Sequence, residues 1–511
     1  MTGMPPSALA RPLSELVAGL ASAVPALAVT DLTLDSRQVR EGALFLACRG
    51  TRQHGLEFLP QALSRGAAAV LWEPTRSVGS PGPAPPGDLP IPAVAVEELS
   101  RHVGEIAARF FGQPSLRLHC IGVTGTDGKT STAYLLAQAL ERLGTACLYV
   151  GTLGAGRVGE IQPGDQTTPD PVHLQRLLHA AVEEGTPAVA MEVSSHALDQ
   201  ARVGGLRFHT GVLTNVGRDH LDYHGTLEKY AAAKRKLFSH PGLAAAVVNR
   251  DDVTGAAWLG ELAGQGPRLT VYGLDGDAPA GQHVIGRGVQ LRPAGVAFEA
   301  TTHAGTARID SRLLGRFNAY NLLAALAALL EKGVSLDRAA EALSQAQTVP
   351  GRIEGFRGVA ARPLVVVDYA HTPQALAQVL QAVRAHCKAT MWCVFGCGGD
   401  RDRGKRPLMG NAAALYADRV IVTDDNPRNE DPAAIVREIQ AGFPAGFDAP
   451  VIHDRARAIE TAVRQAGADD VVVVAGKGHE EYQQYGQEKR VFSDRAFVAA
   501  LVGQQGLGTR G

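Results

Sequence analysis

The sequence lacks an excess of either charge: 50 Lys and Arg residues stand against 51 Asp and Glu in 511 residues. A protein that works along nucleic-acid phosphates needs a basic face, so this balance excludes nucleic acid as the main partner. The six cysteines (Cys48, Cys120, Cys147, Cys387, Cys393 and Cys397) are scattered, with no Cys-x-x-Cys pair and most of them inside apolar runs. That pattern argues against a disulfide framework and predicts reduced, buried thiols in a cytoplasmic protein. No run of 18 apolar residues is free of charge, so no membrane span is expected. The N-terminal stretch MTGMPPSALARPLSELVAGLASAV is broken by charge and proline, and does not read as a signal peptide. There is no repeat and no sustained heptad pattern.

What is present is an ordinary globular composition, 45% hydrophobic with 58 glycines. A chain of this length exceeds one core and predicts several domains. Residues 1–105 carry the short strand signals LTLDSRQV (32–39), GALFLACRG (42–50) and AAAVLWE (67–73). The Pro- and Gly-dense stretch at 74–92 reads as a flexible surface connection. From 106 to 348, strands such as LHCIGVT (118–124), ACLYVG (146–151), AVAMEVS (188–194), HTGVLTNV (209–216) and AAAVVNR (244–250) alternate with helical periods. From 349 to 511, PLVVVDY (363–369), ATMWCVFG (389–396), DRVIVTD (418–424) and DVVVVAG (470–476) do the same. The expected fold is α/β with three domains: a central P-loop-type parallel-sheet domain and a C-terminal dinucleotide-fold-like domain follow the N-terminal one.

The loop GVTGTDGKTST (122–132) lies between a strand and a helical stretch. Its glycines let backbone N–H groups wrap a polyphosphate at a helix N-terminus. Gly125, Thr126, Asp127, Gly128, Lys129, Thr130 and Ser131 are therefore the candidate ATP-binding residues. Lys129 can reach the outer phosphates, and the Thr130 hydroxyl can hold Mg2+. The pattern G-x-x-x-x-G-K-[ST] is not met in full, because Val123 stands where the first Gly belongs. The bland alternative is a chance GKT in an ordinary loop, and the strand before and helix after disfavour it. The loop resembles that of the Mur ligases and of folylpolyglutamate synthase, which join a carboxylate to an amine at the expense of ATP. Asn is more usual there than Asp127.

Glu192 ends the strand of MEVSSHALDQARVGGL (191–206), where a carboxylate is either a Mg2+ ligand or a half-buried acid with a local partner. TNVGRDHLDYHGTLEKYAAAKRKLF (214–238) gathers Asp219, His220, Asp222 and His224 at a spacing that fits no standard zinc motif. Lys234, in AAAK, reads from physics alone as an exposed helix lysine. Taken together, EVSSHAL, TNVGRDHLDYHGT and AAAKRKLF resemble the Mur ligases that add the third peptide residue to UDP-N-acetylmuramoyl-dipeptide. The resemblance continues in order through GRFNAYNLLAA (315–325), VPGRIE (349–354), VDYAHTP (367–373), FGCGGDRDRGKRPLMG (395–410), DDNPRNEDP and GKGHEEYQ (476–483). It is looser in the N-terminal part, through LTLDSR and GALFLACRG, and TRQHG (51–55) matches weakly.

The resemblance implies an N-terminal UDP-sugar-binding domain, a central ATP-binding domain and a C-terminal domain for the incoming amino acid. It implies two Mg2+ sites, one on Thr130 and Glu192 and one on Glu192, His220 and a Lys234 carbamylated by CO2. Lys129, Glu192, His220 and Lys234 are then the catalytic set. Ser36, Thr167, Thr168, Ser194, Gln200 and Arg202 would bind the UDP-sugar dipeptide, although proline is unusual in the QTTPD segment. Asn318 and Asn321 would meet the adenine, and Arg352 and Asp368 would complete the ATP site. Arg401, Asp425, Asn426, Pro427, Arg428, Gly476 and Glu480 would hold the amino acid.

Arg428 poses the sharpest question, because it is a lone Arg among Asp424, Asp425, Glu430 and Asp431. It is either a solvated loop charge or a fork of donors held out for a carboxylate. Within the resemblance, Arg at this position implies meso-diaminopimelate, whose far end carries a carboxylate. The implied chemistry runs through an acyl phosphate on the dipeptide's D-Glu, in a monomer acting on small molecules. The alternatives are a ligase using L-lysine or L-ornithine, with Arg428 paired to Asp425 or Glu430, a P-loop ATPase or kinase, and a zinc hydrolase on His220 and His224.

Overall fold

Short apolar runs that stop at Gly, Asp or Asn form the strands of this protein. The computed structural model describes residues 9–503 except 51–52, 75, 78–79, 82–83, 265 and 359–361. Part of TRQHG and parts of the 74–92 connection thus lie outside the described residues. The chain divides into two compact units, Met1–Tyr272 and Gly273–Gly511. Among the described residues, no helix is long and apolar enough to cross a membrane.

The first unit contains a parallel sheet of β1 (Asp31–Thr33), β2 (Ala43–Ala47), β3 (Ala67–Trp72) and β4 (Ala93–Ala95), in that order. The predicted strand at 32–39 stops at Thr33, because the Asp35 carboxylate caps a 3-10 turn at Ser36–Gln38. Leu32, Leu44, Leu46 and Leu71 pack against Leu99, Val103, Ile106 and Phe110 of helix α1 (Leu99–Phe110).

The elements that follow are β5 (His119–Thr124), α2 (Lys129–Arg142), β6 (Cys147–Gly151), β7 (Gly154–Gly156), α3 (Pro171–Glu183), β8 (Ala188–Glu192), β9 (Thr210–Leu213), α4 (Leu227–Arg235), β10 (Ala245–Asn249) and β11 (Arg268–Leu274). Their strands lie in the order β7-β6-β8-β5-β9-β10-β11, parallel apart from β7. In a parallel sheet all C-terminal ends share one edge, where ligands bind. The register sets Glu192 beside Val123 and Leu213 beside Thr124, so three chain segments turn outward together at that edge.

The second unit opens with an antiparallel meander of β12 (Gln282–Arg292), β13 (Gly295–Thr302) and β14 (Gly305–Ser311). Helices α5 (Phe317–Glu331) and α6 (Leu336–Ser344) come next. A five-stranded sheet then forms from β15 (Glu354–Arg357), β16 (Leu364–Asp368), β17 (Met391–Phe395), β18 (Arg419–Val422) and β19 (Val471–Ala475), in the order β15-β16-β19-β17-β18. Only β15 is antiparallel to its neighbour. Val366, Cys393 and Val473 face one core, and Val365, Val394 and Val472 face another. Burial on both faces explains why these strands read as unbroken apolar runs.

All six cysteines are free thiols, four buried and two, Cys48 and Cys387, only partly so.

One buried ion pair ties the second unit's strand ends together. Arg455 and Asp494 are both fully buried and share two 2.7 Å hydrogen bonds. Arg455 also donates to the carbonyls of Asp424 (3.3 Å) and Ala475 (3.0 Å). Arg455→Met would strand the Asp494 carboxylate in a dry core, so it should cost about 3–5 kcal/mol in urea unfolding. Arg455→Met combined with Asp494→Leu should recover much of that loss. A single variant as stable as the parent would contradict the assignment.

Candidate active site

The loop after β5 is built for close backbone approach. Gly128 caps α2 with φ +81°, and Gly125 has φ +151°. A Cβ at Gly125 would overlap the Thr214 hydroxyl. The segment after β9 holds the loop in shape. Thr126 N–H donates to the Asn215 carbonyl (2.8 Å), Asp127 N–H to Asn215 Oδ1 (3.0 Å), and Thr214 Oγ1 to the Asp127 carbonyl (2.6 Å). Asp127 is exposed, and its N–H and carbonyl, rather than its carboxylate, make these contacts with Asn215 and Thr214. Gly125→Ala should therefore abolish ATP binding in calorimetry; unaltered affinity would contradict the proposed nest.

Glu192 is fully buried at the end of β8. Its Oε1 accepts from Tyr149 OH (2.6 Å) and Thr152 N–H (2.8 Å). Its Oε2 accepts from Thr130 Oγ1 (2.9 Å) and Thr152 Oγ1 (3.2 Å). All four donors are neutral. A buried carboxylate with only neutral donors, beside a hydroxyl at a phosphate-loop helix, is a hard-oxygen donor set that fits Mg2+. Among the described residues no three His, Cys, Asp or Glu side chains converge as a metal cluster. Mg2+ here would complete its shell with phosphate and water oxygens, as it commonly does.

The dipeptide candidates cluster on the same edge. Thr168 Oγ1 donates to the Glu192 carbonyl (2.9 Å), and Ser194 N–H donates to Thr168 Oγ1 (3.1 Å). Thr167 and Thr152 share a 3.1 Å hydroxyl contact. Arg202 donates to Gln200 Oε1 (2.7 Å), Gln166 Oε1 (2.7 Å) and the Thr168 carbonyl (3.0 Å). Ser36 lies in the N-terminal sheet domain, where its hydroxyl donates to Gln61 Oε1 (2.7 Å).

Lys234 departs from its sequence reading. It is 1% exposed, not a surface lysine. Its Nζ donates to the Gly125 carbonyl (2.6 Å) and lies 4.3 Å from the Tyr230 ring centroid. Burial, with the charge of Lys129 as the next cause, holds its pKa down to about 6, against the opposing pull of Asp219 and Asp127. Lys129 itself donates to the carbonyls of Gly125 (2.9 Å) and Thr126 (2.8 Å). His220, at φ +52°, is exposed and lies by Asp219 and the His196 ring, with Tyr230 beyond at 6.2 Å. Tyr230 thus has Lys234 and His220 as neighbours. His224, named in the zinc reading, is turned to the Ser195 hydroxyl (3.1 Å) instead.

The second unit carries the remaining candidates. Asn321 Nδ2 donates to Asn318 Oδ1 (2.9 Å), and both side chains are buried at the start of α5. Asp368 accepts from the N–H groups of Ile353 and Ala370 (both 2.7 Å), while burial raises its pKa. Arg352 is exposed and its charge acts on Asp368.

Around the strand ends of β18 and β19, Asn426 Nδ2 donates to Glu480 Oε2 (2.9 Å). Fully buried Lys477 donates to the same oxygen (2.8 Å) and to Asn426 Oδ1 (3.2 Å). Asp425 is buried with its pKa raised, by desolvation first. A Cβ at Gly476 would press on its carboxylate. Arg428 is half-buried at φ +52° and donates to the Gly399 carbonyl (2.7 Å). No carboxylate lies within ion-pair distance of Arg428 or Arg401 among the described residues. Glu430, one suggested partner, is taken by Arg406 (2.8 Å). A half-buried guanidinium with no acid among the described residues keeps its charge unneutralised.

Tyr149, Thr152, Thr214, Asn215, Tyr230 and Lys477 were not singled out from sequence. The signal for Tyr230 was its i, i+4 spacing from Lys234; the others depend on sheet order.

Three segments match known families: residues 28–111 the Mur ligase family, catalytic domain; 123–329 the Mur ligase middle domain; and 351–478 the Mur ligase, glutamate ligase domain. A protein of Alkalilimnicola ehrlichii named UDP-N-acetylmuramoyl-L-alanyl-D-glutamate--2,6-diaminopimelate ligase is 53% identical over 484 residues, covering 93% of this chain and 95% of that one. A protein of the same name from Ectopseudomonas mendocina is 49% identical, covering 94% and 96%. A solved structure with that name superposes with a TM-score of 0.76 at 35% identity, covering 97% of this chain and 99% of that chain.

Proposed function

The chain belongs to the Mur ligase family, and from that premise we infer the reaction it performs. It is an ATP-dependent ligase that joins meso-2,6-diaminopimelate to the D-Glu carboxylate of UDP-N-acetylmuramoyl-L-alanyl-D-glutamate, in peptidoglycan precursor synthesis. Residues 1–105 bind the UDP-sugar, 106–348 bind ATP and 349–511 receive the amino acid. The protein works as a cytoplasmic monomer.

Lys129 and the N–H groups of Gly125–Ser131 cradle the phosphates. The γ-phosphoryl group passes to the D-Glu carboxylate, giving an acyl phosphate and ADP. The diaminopimelate amine then attacks the acyl carbon, and phosphate leaves from a tetrahedral intermediate to give the amide. Mg2+, when bound by Thr130 and Glu192 and at a second site by Glu192, His220 and Lys234, supplies neutralising charge. A neutral Lys234 amine can add CO2 and release a proton, which turns a neutral nitrogen group into an anionic oxygen ligand. Thr167, Thr168, Ser194, Gln200 and Arg202 place the dipeptide, and Ser36 serves the uridine part. Asn318 and Asn321 meet the adenine, with Arg352 and Asp368 completing the nucleotide site. Positioning supplies most of the catalysis.

The observation that carries the diaminopimelate reading is Arg428, a half-buried cation without an acid partner among the described residues. It grips the distal carboxylate, Arg401 the α-carboxylate, and Asp425, Asn426, Pro427, Gly476 and Glu480 enclose the rest. Lysine and ornithine have no distal carboxylate. The test is phosphate release by the purified protein with ATP and Mg2+. Release should require both the UDP-linked dipeptide and diaminopimelate. Release without any amine would favour a bare ATPase.

A further inference from the structure

Arg406 reads from sequence as one more basic residue in RDRGKRP, yet its side chain is fully buried. Its Nη1 donates to Glu430 Oε2 (2.9 Å) and its Nη2 to Glu430 Oε1 (2.8 Å), a two-pronged pair. Nη1 also donates to Glu438 Oε2 (2.7 Å), and Nη2 to the Gly398 carbonyl (3.3 Å). Glu430 Oε1 accepts in turn from Asp400 N–H (2.6 Å). Two loops are stitched together by this group: 398–401, which carries Arg401, and 426–431, which carries Arg428. Further stitches are Gly399 N–H to the Asn426 carbonyl (2.9 Å) and Asn429 Nδ2 to Asp400 Oδ2 (2.8 Å). Arg428 donates to Gly399, so where its fork points depends on where the 398–401 loop stands.

We propose that the Glu430–Arg406–Glu438 triad is a positioning device that sets Arg428 and Arg401 at the separation a two-carboxylate diamino acid requires. The inference rests on the reading of Arg428 and Arg401 as carboxylate grips. None of the three triad residues belongs to that grip; each acts through the loops. The pair with Arg406 holds the Glu430 pKa down to about 2, so Glu430 stays ionised at any assay pH near neutrality. The main-chain stitches at Gly399 and Asp400 remove slack that a flexible arginine side chain would otherwise have to absorb.

The test uses Glu430→Gln and Arg406→Lys in the full-length enzyme, with Arg428→Ala in parallel. Glu430→Gln keeps the Arg406–Glu438 pair and so protects the fold should Arg406→Lys not survive. Each triad variant should raise the KM for meso-diaminopimelate about tenfold with kcat within about threefold, the pattern of lost binding rather than lost chemistry. The KM values for ATP and for the UDP-linked dipeptide should not move. Amide hydrogen exchange over 398–401 and 426–431 should speed up in both variants. Unaltered exchange, or faster exchange with an unaltered diaminopimelate KM, would overturn the proposal. If Arg428→Ala alone leaves that KM unaltered, the carboxylate grip fails, while the exchange result still decides whether the triad holds the loops.

Discussion

Lys234→Ala should lower ligation by about three orders of magnitude and leave a folded protein. The lysine sits where a catalyst's charge would be needed, against the phosphate loop and beside Lys129. A cation there is disfavoured twice, by burial and by its neighbour, which is why its pKa falls to about 6. Near neutral pH it is an amine lone pair in a dry site, the form that adds CO2. Stripping bicarbonate from the assay should therefore slow the parent enzyme and not the variant. Near-normal turnover by Lys234→Ala would end the carbamate assignment.

The same residue has a thermodynamic signature. Unfolded, a lysine keeps its proton to about pH 10.4; folded, Lys234 releases it near 6. Between those values the unfolded chain binds more protons, so this group makes stability rise with pH, by up to about 1.4 kcal/mol per unit. In bicarbonate-free buffer, urea unfolding from pH 6.5 to 9 should show that slope in the parent and lose it in Lys234→Ala.

Arg428→Ala should reduce kcat/KM for meso-diaminopimelate about a hundredfold, far more than it reduces any turnover of L-lysine. The guanidinium has a carbonyl partner and no carboxylate among the described residues, so a ligand carboxylate would meet a charge not already neutralised. Arg428→Lys should not rescue it, because a point charge cannot make the fork. Equal losses with both amines would mean that Arg428 shapes the loop rather than reading the substrate. The positive φ at Arg428 makes that alternative worth testing, and Arg428→Gly separates conformation from charge.

The parallel strands were legible because apolar runs bounded by turn residues leave little choice, and their C-terminal ends placed the phosphate loop and Glu192 correctly. The partners of Glu192 were not legible. Tyr149 lies in β6 and Thr152 in the turn just after it, and only the order β6-β8-β5 brings them to it. A helix lysine next to Ala and Arg, such as Lys234, looks solvated from sequence; its contact with the Gly125 carbonyl comes only with the tertiary fold. The meander at 282–311 and the helix at Lys405–Tyr416 were missed for different reasons. The meander's pattern is interrupted by glycines and a register shift between Arg287 and Gln290. The helix begins in a charged, proline-bearing stretch that suggests a loop, although Pro407 lies in its first turn, where proline is tolerated. The burial of Arg406 followed from that helix and was invisible without it.

Letting the amines compete shows which one the protein joins to the dipeptide. The purified protein, ATP, Mg2+ and UDP-N-acetylmuramoyl-L-alanyl-D-glutamate are incubated with equal concentrations of meso-diaminopimelate, L-lysine and L-ornithine, and the product's mass is read. One tripeptide, carrying diaminopimelate, should form, with phosphate in equal amount. A lysine or ornithine product would overturn the role given to Arg428, and phosphate release without any amide would overturn the ligase.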